Sequence, residues 1–558
     1  ARVTGQGGLL LDRQLVTSCA EMAATPQGTR ELQTELDSEL LRGVPLPVCL
    51  SGWAKHFVPP DPGMFNVDHG DYDLSRCTDS YDEFLSHDWG TPRLLKLVSM
   101  LIIYNSGAAA AFCLLASVLC GVLQANGVLP VDWWTLLLLH ATFWIVLLFW
   151  QRLRGIFLKP ATIFLDRLCI AQHDEELKQK GILGLAGFLD RSRQLTILWS
   201  HRYFSRIWCT YEVATFLRDA KNQKPILVMP VKMALTLFLF AVSEHVIMYW
   251  YVHASSIMAR DVADIDLGNL WALFVSFAPV LALTVPVVFY IGLGLMQELQ
   301  ELPQQLANFS VQRAQCFCCS NDHKHPQTGE AIPCDRELIF GMLKRWYGNP
   351  HGEADEHLLL FDRQVKEALA PTVMRSLGRG WLPLQYTIAM VCVSAVPMLS
   401  RTIAVLTVGP PQALAGYASF VWRLRVCMDY GMACLLTFSW VQAGLYVLHY
   451  AGSRVKQRNR WFYAIVLVVP ACLPLSVEWF SFQLSMVHTG DDSLIPLIPL
   501  LTWTGFHILL MRFSDGPAGH VQFAGAAPDK PDRLFQEATI EVVVDEQSTS
   551  DSISVFST

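Results

Sequence analysis

Eight apolar runs, each about long enough to cross a bilayer, interrupt this chain: Val98–Leu123, Trp133–Trp150, Met233–Tyr251, Leu270–Met296, Trp381–Leu399, Cys427–Tyr450, Trp461–Phe482 and Leu494–Arg512. A helix of about 20 apolar residues crosses the hydrocarbon core. Backbone surrounded by lipid must satisfy its own hydrogen bonds, so runs of this kind read as helices. The first two are joined only by QANGVLPVD and form a hairpin. Composition agrees with this reading. Of 558 residues, 52% are hydrophobic and 16% charged, with a mean hydropathy of +0.32. That balance points to a multi-pass α-helical membrane protein of about eight spans, with the lipid bilayer as its first partner. The formal net charge of −7 and the lack of a long basic block argue against nucleic acid as a partner.

A second pattern lies between the apolar runs. Ala161–Asp166 and Gln194–Trp199 are short apolar segments rich in Ile, Leu, Phe and Thr, as expected of strands buried on both faces of a parallel sheet. Between them, Leu177, Ile182, Leu185, Phe188 and Leu189 recur at roughly helical spacing within Asp174–Asp190. Arg206–Leu217 reads as a second helix with Ser205 as its N-cap. Tyr81–Leu85 and Pro225–Val231 complete a set of four strands. Alternating strands and helices give a parallel sheet with right-handed crossovers. Ligands bind such sheets beyond the carboxyl ends of the strands, here at the loops Cys169–Glu175 and Ser200–Ser205. The first strand precedes the apolar hairpin and the second follows it. A parallel crossover needs only about a dozen residues, so a hairpin can replace it if both ends return to one side.

The chain therefore divides into an N-terminal extension (1–77), a split α/β unit (78–97 with 151–231), the hairpin (98–150), a pair of spans (232–296), a soluble insert (297–380), four further spans (381–513) and an acidic, Ser-rich tail (514–558) expected to be disordered. An even number of spans places the α/β unit, the insert and the tail on one side. Membrane-proximal Arg93, Lys96, Arg152, Arg154, Lys159, Lys221, Lys224, Lys232, Arg375, Arg379, Arg454, Lys456, Arg458 and Arg460 mark that side as cytoplasmic. Arg401, Arg423 and Arg425 run against that bias. Glu244 and His245 fall inside the third span. An acid there costs about 2.5–3.5 kcal/mol on insertion scales, so it reads as a polar contact or as part of an ion or proton path. Glu478 and Asp429 lie nearer span ends and are expected to reach the interface.

The fifteen cysteines do not form a secreted disulfide pattern, and reduced thiols facing the cytosol are the simpler reading. The insert concentrates Cys316, Cys318, Cys319, His323, His325 and Cys334. Zinc binding, acylation beside the membrane and free thiols all remain open for this cluster. Glu337–Trp346 and Leu358–Leu369 read as amphipathic helices that pack on the α/β unit or the membrane surface.

Ser192 followed by LTILWSHRYFSRIWCTYE resembles the Toll/interleukin receptor (TIR) domain, whose members carry a Ser, a buried strand, Ser-x-x-Tyr and then Trp-Cys-x-x-Glu. YDEFLSHDW at Tyr81–Trp89 is similar to the TIR first strand and the loop after it, with Phe84 and Ser86 the closest matches. FLDRLCIAQHDEE also resembles a segment of the fungal heterokaryon-incompatibility domain, a TIR relative. The resemblance covers about residues 78–230, interrupted by the hairpin, and implies a flavodoxin-like parallel sheet with the first strand between the second and third. The last TIR helix–strand–helix is missing, because a membrane span follows the fourth strand directly.

The resemblance implies NAD hydrolysis or self-association. Several TIR domains cleave the nicotinamide–ribose bond with the Glu of Trp-Cys-x-x-Glu, which is Glu212 here. Nicotinamide leaves a cationic ring as a neutral molecule, so no general acid is needed. One carboxylate can stabilise the oxocarbenium-like centre, which is half the apparatus of a glycosidase. Ser86, His87, Asp88 and Trp89 would line the opposite wall, with Cys169 opening a mobile loop that runs to Asp174 and Trp208 beside the acid. Glu212 is also readable as a surface acid paired with Arg206 or Arg218, and its early place in the helix predicts an ionised carboxylate. Two functions follow: a membrane-anchored TIR-like signalling protein with NAD as substrate, or a transporter or channel that a non-catalytic TIR-like unit regulates.

Overall fold

The computed structural model describes residues 36–58, 69–217, 224–261, 267–324, 333–348, 355–369, 383–411, 414–452 and 457–513, with residues 329, 331, 371, 454 and 455 between them. The acidic tail, His325, Arg218, Lys221, Arg375, Arg379 and Lys456 lie outside the described residues. The fold is mostly helical, with one small mixed sheet.

That sheet has six strands: β1 (Arg42–Pro45), β2 (Arg76–Cys77), β3 (Tyr81–His87), β4 (Thr162–Phe164), β5 (Ser192–Trp199) and β6 (Ile226–Pro230), in the order β2-β1-β4-β3-β5-β6. The four expected strands are mutually parallel, and β3 lies between β4 and β5. Phe84 stands opposite Phe164, and Ser86 opposite Ile197. The sheet is not wholly parallel, however. Part of the N-terminal extension supplies β1, antiparallel to β4, and β2, antiparallel to β1. The extension thus covers the edge of β4 and satisfies backbone groups that an open edge would leave unpaired. Gly43 is required there, because a Cβ would come within 2.6 Å of Thr162 Cγ2. Aromatic rings fill the core beneath the sheet. Phe164 stacks on Phe84 and on Phe188, with ring centroids 4.6 Å apart in both pairs.

The hairpin enters where a crossover helix belongs. Its first helix runs Arg93–Ala125 and its second Trp133–Phe157. Thirty-three residues at 1.5 Å each give about 50 Å, well beyond the roughly 30 Å of a hydrocarbon core. The surplus lies against the sheet. Tyr104 donates to Glu83 Oε2 at 2.6 Å, and Thr196 donates to the same oxygen at 2.5 Å, which ties the helix to β3 and β5. Beyond that point Asn105 Nδ2 donates to the Leu147 carbonyl and Gln151 Nε2 to Asn105 Oδ1, an amide contact that joins the two helices.

Among the described residues, six helices are long and apolar enough to cross a membrane: Arg93–Ala125, Trp133–Phe157, Val231–Ser255, Gly268–Ala307, Tyr417–Gly452 and Arg460–Val487. Counting the bent pair Leu384–Ala395 and Met398–Val408 as one span makes seven. Six or seven of the eight expected runs thus meet the length and composition of a span. The Trp381–Leu399 run bends by 51° at its break, where Pro397 precedes the second helix. The last run yields the shorter apolar helix Leu497–Leu510. A bilayer is the environment these helices fit.

Polar groups within the spans are paired more fully than the sequence suggested. Glu478 does not reach an interface. It is buried and accepts from Ser439 Oγ at 3.1 Å, with His507 Nε2 at 3.2 Å. His245 meets His140, with Nδ1 atoms 2.7 Å apart. Arg425 is buried and donates to the carbonyls of Met486, Thr489 and Ser493, so it caps a helix end rather than facing lipid headgroups. Its disagreement with the charge bias has this structural cause.

Candidate functional site

The carboxyl ends of β3 and β5 and the helix Ile207–Leu217 meet at three side chains. Ser86, the penultimate residue of β3, donates to Glu212 Oε2, and its Oγ lies 2.5 Å from the hydroxyl of Tyr203. The alternation of β3 turns Ser86 toward this helix, and the turn Tyr203–Ser205 after β5 brings the phenol over the same point. Ser86 and Tyr203 are buried, while Glu212 is partly exposed.

Glu212 is the sixth residue of its helix, not a first-turn residue. The favourable field of a helix N-terminus falls off within the first turn. Burial instead pushes its pKa up to about 8, opposed by the Ser86 hydrogen bond and reinforced by the charge of Asp166. Burial thus works against the ionised state expected from its place in the helix. Among the described residues its hydrogen-bond partner is Ser86.

The neighbouring residues divide into separate sets. His87 turns its ring onto Phe57 and Trp89, with centroids 5.0 and 4.7 Å away. Burial holds it neutral, and its Nε2 has no hydrogen-bond partner. Asp88 accepts from Gly90 N and Thr91 Oγ1 and so orders its own loop, with Arg202 and Arg206 at 4.0 Å. Trp89 Nε1 donates to Asp166 Oδ2 at 2.9 Å. Cys169 is buried and accepts from Leu165 N within its own turn. Trp208 points to the insert, donating to Asp335 Oδ2 at 3.2 Å. The structure thus joins Ser86 to Glu212, places His87 and Trp89 beside them in a second cluster, and directs Cys169 and Trp208 elsewhere.

Sequence reasoning passed over two residues. Tyr203 is one, because nothing in the spacing shows a phenol reaching Ser86, 117 positions away. Lys96 was counted as a headgroup-facing charge. It is completely buried instead, its ammonium 5.4 Å above the Trp89 ring and 5.7 Å above that of Phe57, with no hydrogen bond among the described residues and with the charges of Asp166 and Asp88 nearby. A buried unpaired ammonium is costly, and two aromatic faces offset only part of that cost. Replacing Lys96 by Met keeps the stem volume and removes the charge. The thermal midpoint should rise, by about 1 kcal/mol in stability. A lower midpoint would show that the ammonium has partners this geometry does not supply.

In the insert, Cys318, Cys319, His323 and Cys334 converge, with their ligand atoms all within 4.8 Å of one another. Cys316 lies beside them, its sulfur 2.9 Å from that of Cys318. None of the fourteen described cysteines forms a disulfide. The amphipathic helices of the insert, Asp335–Tyr347 and Glu356–Gln364, pack on the α/β unit: Trp346 stacks on Tyr211, and Gln364 donates to the carbonyl of Leu217.

A cavity of about 140 Å³ lies among the apolar helices, lined by Glu244, Tyr251, Asp429, Cys472, Trp479 and Gln483, with apolar side chains between them. Compared with family models, with curated proteins and with solved structures, the chain matches none.

Proposed function

We propose that this is a membrane-anchored signalling protein whose split sheet is a TIR-like unit that hydrolyses NAD through Glu212. The observation that supports this reading is the contact of Ser86 with both Glu212 and Tyr203 at the carboxyl end of β3, the edge at which parallel sheets bind ligands. In the reaction, the bond from ribose C1′ to the nicotinamide nitrogen breaks. Nicotinamide takes the electron pair and leaves neutral, and water adds to C1′ with loss of a proton. Ionised Glu212 would stabilise the positive ribose in between. Ser86 and Tyr203 would hold that carboxylate in position. With Ser86 and Tyr203 buried, NAD must displace the loop around Tyr203 to reach the acid. The deciding measurement is NAD consumption by the purified chain in lipid nanodiscs, at concentrations that also allow self-association.

A second reading has its own observation. Glu244 and Asp429 both line the cavity among the apolar helices, and acids inside spans mark candidate ion paths; the TIR-like unit would then act as a regulator. Cation flux into proteoliposomes, lost on Glu244→Gln together with an absence of NAD turnover, would favour that reading.

On the charge bias, the sheet and the insert face the cytoplasm. A cysteine introduced at exposed Val128, in the hairpin turn, should label only from the opposite side. Labelling of Val128→Cys from the cytoplasm would reverse or break this topology.

A further inference from the structure

We infer that Cys318, Cys319, His323 and Cys334 bind one zinc ion, and that this metal fastens the insert to the helix carrying Glu212. The geometry is specific. Zinc bonds of about 2.3 Å to sulfur and 2.0–2.1 Å to nitrogen, arranged tetrahedrally, require S–S edges of about 3.8 Å and S–N edges of about 3.6 Å. The observed separations are 3.8 Å for Cys319 and Cys334, 4.0 Å for Cys318 and Cys319, and 3.6 Å for Cys319 Sγ and His323 Nε2. These sulfurs are far beyond the roughly 2.05 Å of a disulfide. Cys316 does not fit the same centre, because its 2.9 Å approach to Cys318 is shorter than any tetrahedral edge.

The backbone is shaped for the same end. Asp322 and His323 both adopt left-handed φ values, 51° and 56°, a conformation that costs about 1–2 kcal/mol per residue with a side chain. That turn returns the imidazole to the cysteines, while His323 N donates to the Cys318 carbonyl at 2.8 Å. Lys324 pairs antiparallel with Ala331, three positions before Cys334. Asp335 N, at the start of the next helix, donates to Cys318 Sγ at 3.2 Å, as outer-shell amides do for a thiolate that holds a metal. Three cysteines and one histidine form a closed donor set with no open position, which is the pattern of structural zinc rather than of a catalytic ion.

Both flanks of the cluster clasp the helix Ile207–Leu217. Gln315 exchanges backbone hydrogen bonds with Ser205 and Ile207 on one side, and Asp335 accepts from Trp208 on the other. Metal loss would release this clasp five residues from Glu212.

Metal content of the full chain, purified in detergent without chelating resin, tests the site. Mass spectrometry should find about one zinc per chain. Cys334→Ser and His323→Ala should lose most of it, Cys316→Ser should retain it, and Cys334→His should hold it as a surrogate ligand. Wild-type protein stripped of metal and loaded with cobalt(II) should show the intense visible bands of a tetrahedral thiolate site. Alkylation of the wild type needs no variant to fold: Cys318, Cys319 and Cys334 should be protected by zinc and exposed by a chelator. The site is overturned if wild type lacks zinc, takes none up under reducing conditions, and alkylates equally with and without it. Equal zinc loss in Cys316→Ser and Cys334→Ser would overturn the assigned ligand set. Each readout is independent of NAD turnover.

Discussion

Replacing Glu212 by Gln should reduce NAD consumption at least about 100-fold while the sheet stays folded, since one preorganised group that stabilises transition-state charge contributes roughly 10²–10³. Gln retains the volume and can still accept from Ser86, so its defect reports the lost charge rather than lost packing. Wild-type turnover should rise with pH as Glu212 ionises through about 8. The stability effect has the opposite sign. The folded state holds the Glu212 proton from its ordinary pKa of 4.5 up to about 8, so over that window it binds more protons than the unfolded chain. Stability contributed by this group is complete below 4.5 and is lost as pH rises through about 8. Glu212→Gln should remove that part of the slope. Rates of wild type and variant measured between pH 6 and 9, beside thermal midpoints at each pH, separate the two effects. Equal rates in both proteins, or no wild-type turnover at any pH, would leave the regulatory or adaptor reading as the better one.

The largest loss of stability should come from Phe164→Ala. Phe164 is fully buried on β4, stacked between Phe84 and Phe188 and met edge-on by Tyr81. Truncating a core Phe costs about 3–5 kcal/mol. The rings it joins come from segments separated by the apolar hairpin, so the cavity would fall on the seam of the split unit. The sheet's thermal or proteolytic transition should drop sharply while the helical signal of the apolar segments persists. Phe164→Leu should fall between wild type and Ala. An unchanged transition in Phe164→Ala would mean that these rings do not hold the two halves together.

Much of this architecture was legible in the residues alone. Run length identifies membrane helices, because the hydrocarbon core has a fixed thickness and lipid cannot satisfy a bare backbone. Four short apolar segments with helical pieces between them determined the parallel strands and their neighbours, since a buried strand excludes polar residues on both faces. Ser86 and Glu212 were legible as candidates from their local strings. Tertiary structure decided what depends on distance in space. It decided that the N-terminal extension closes the sheet edge antiparallel, and that Pro397 marks the bend of one apolar run. It decided that Lys96 lies under Trp89 instead of among headgroups, and that Tyr203 reaches Ser86. It also decided the protonation of Glu212. Sequence shows that a carboxyl group is present and near a helix start, but its pKa follows from desolvation, and desolvation is set by everything that packs around the group.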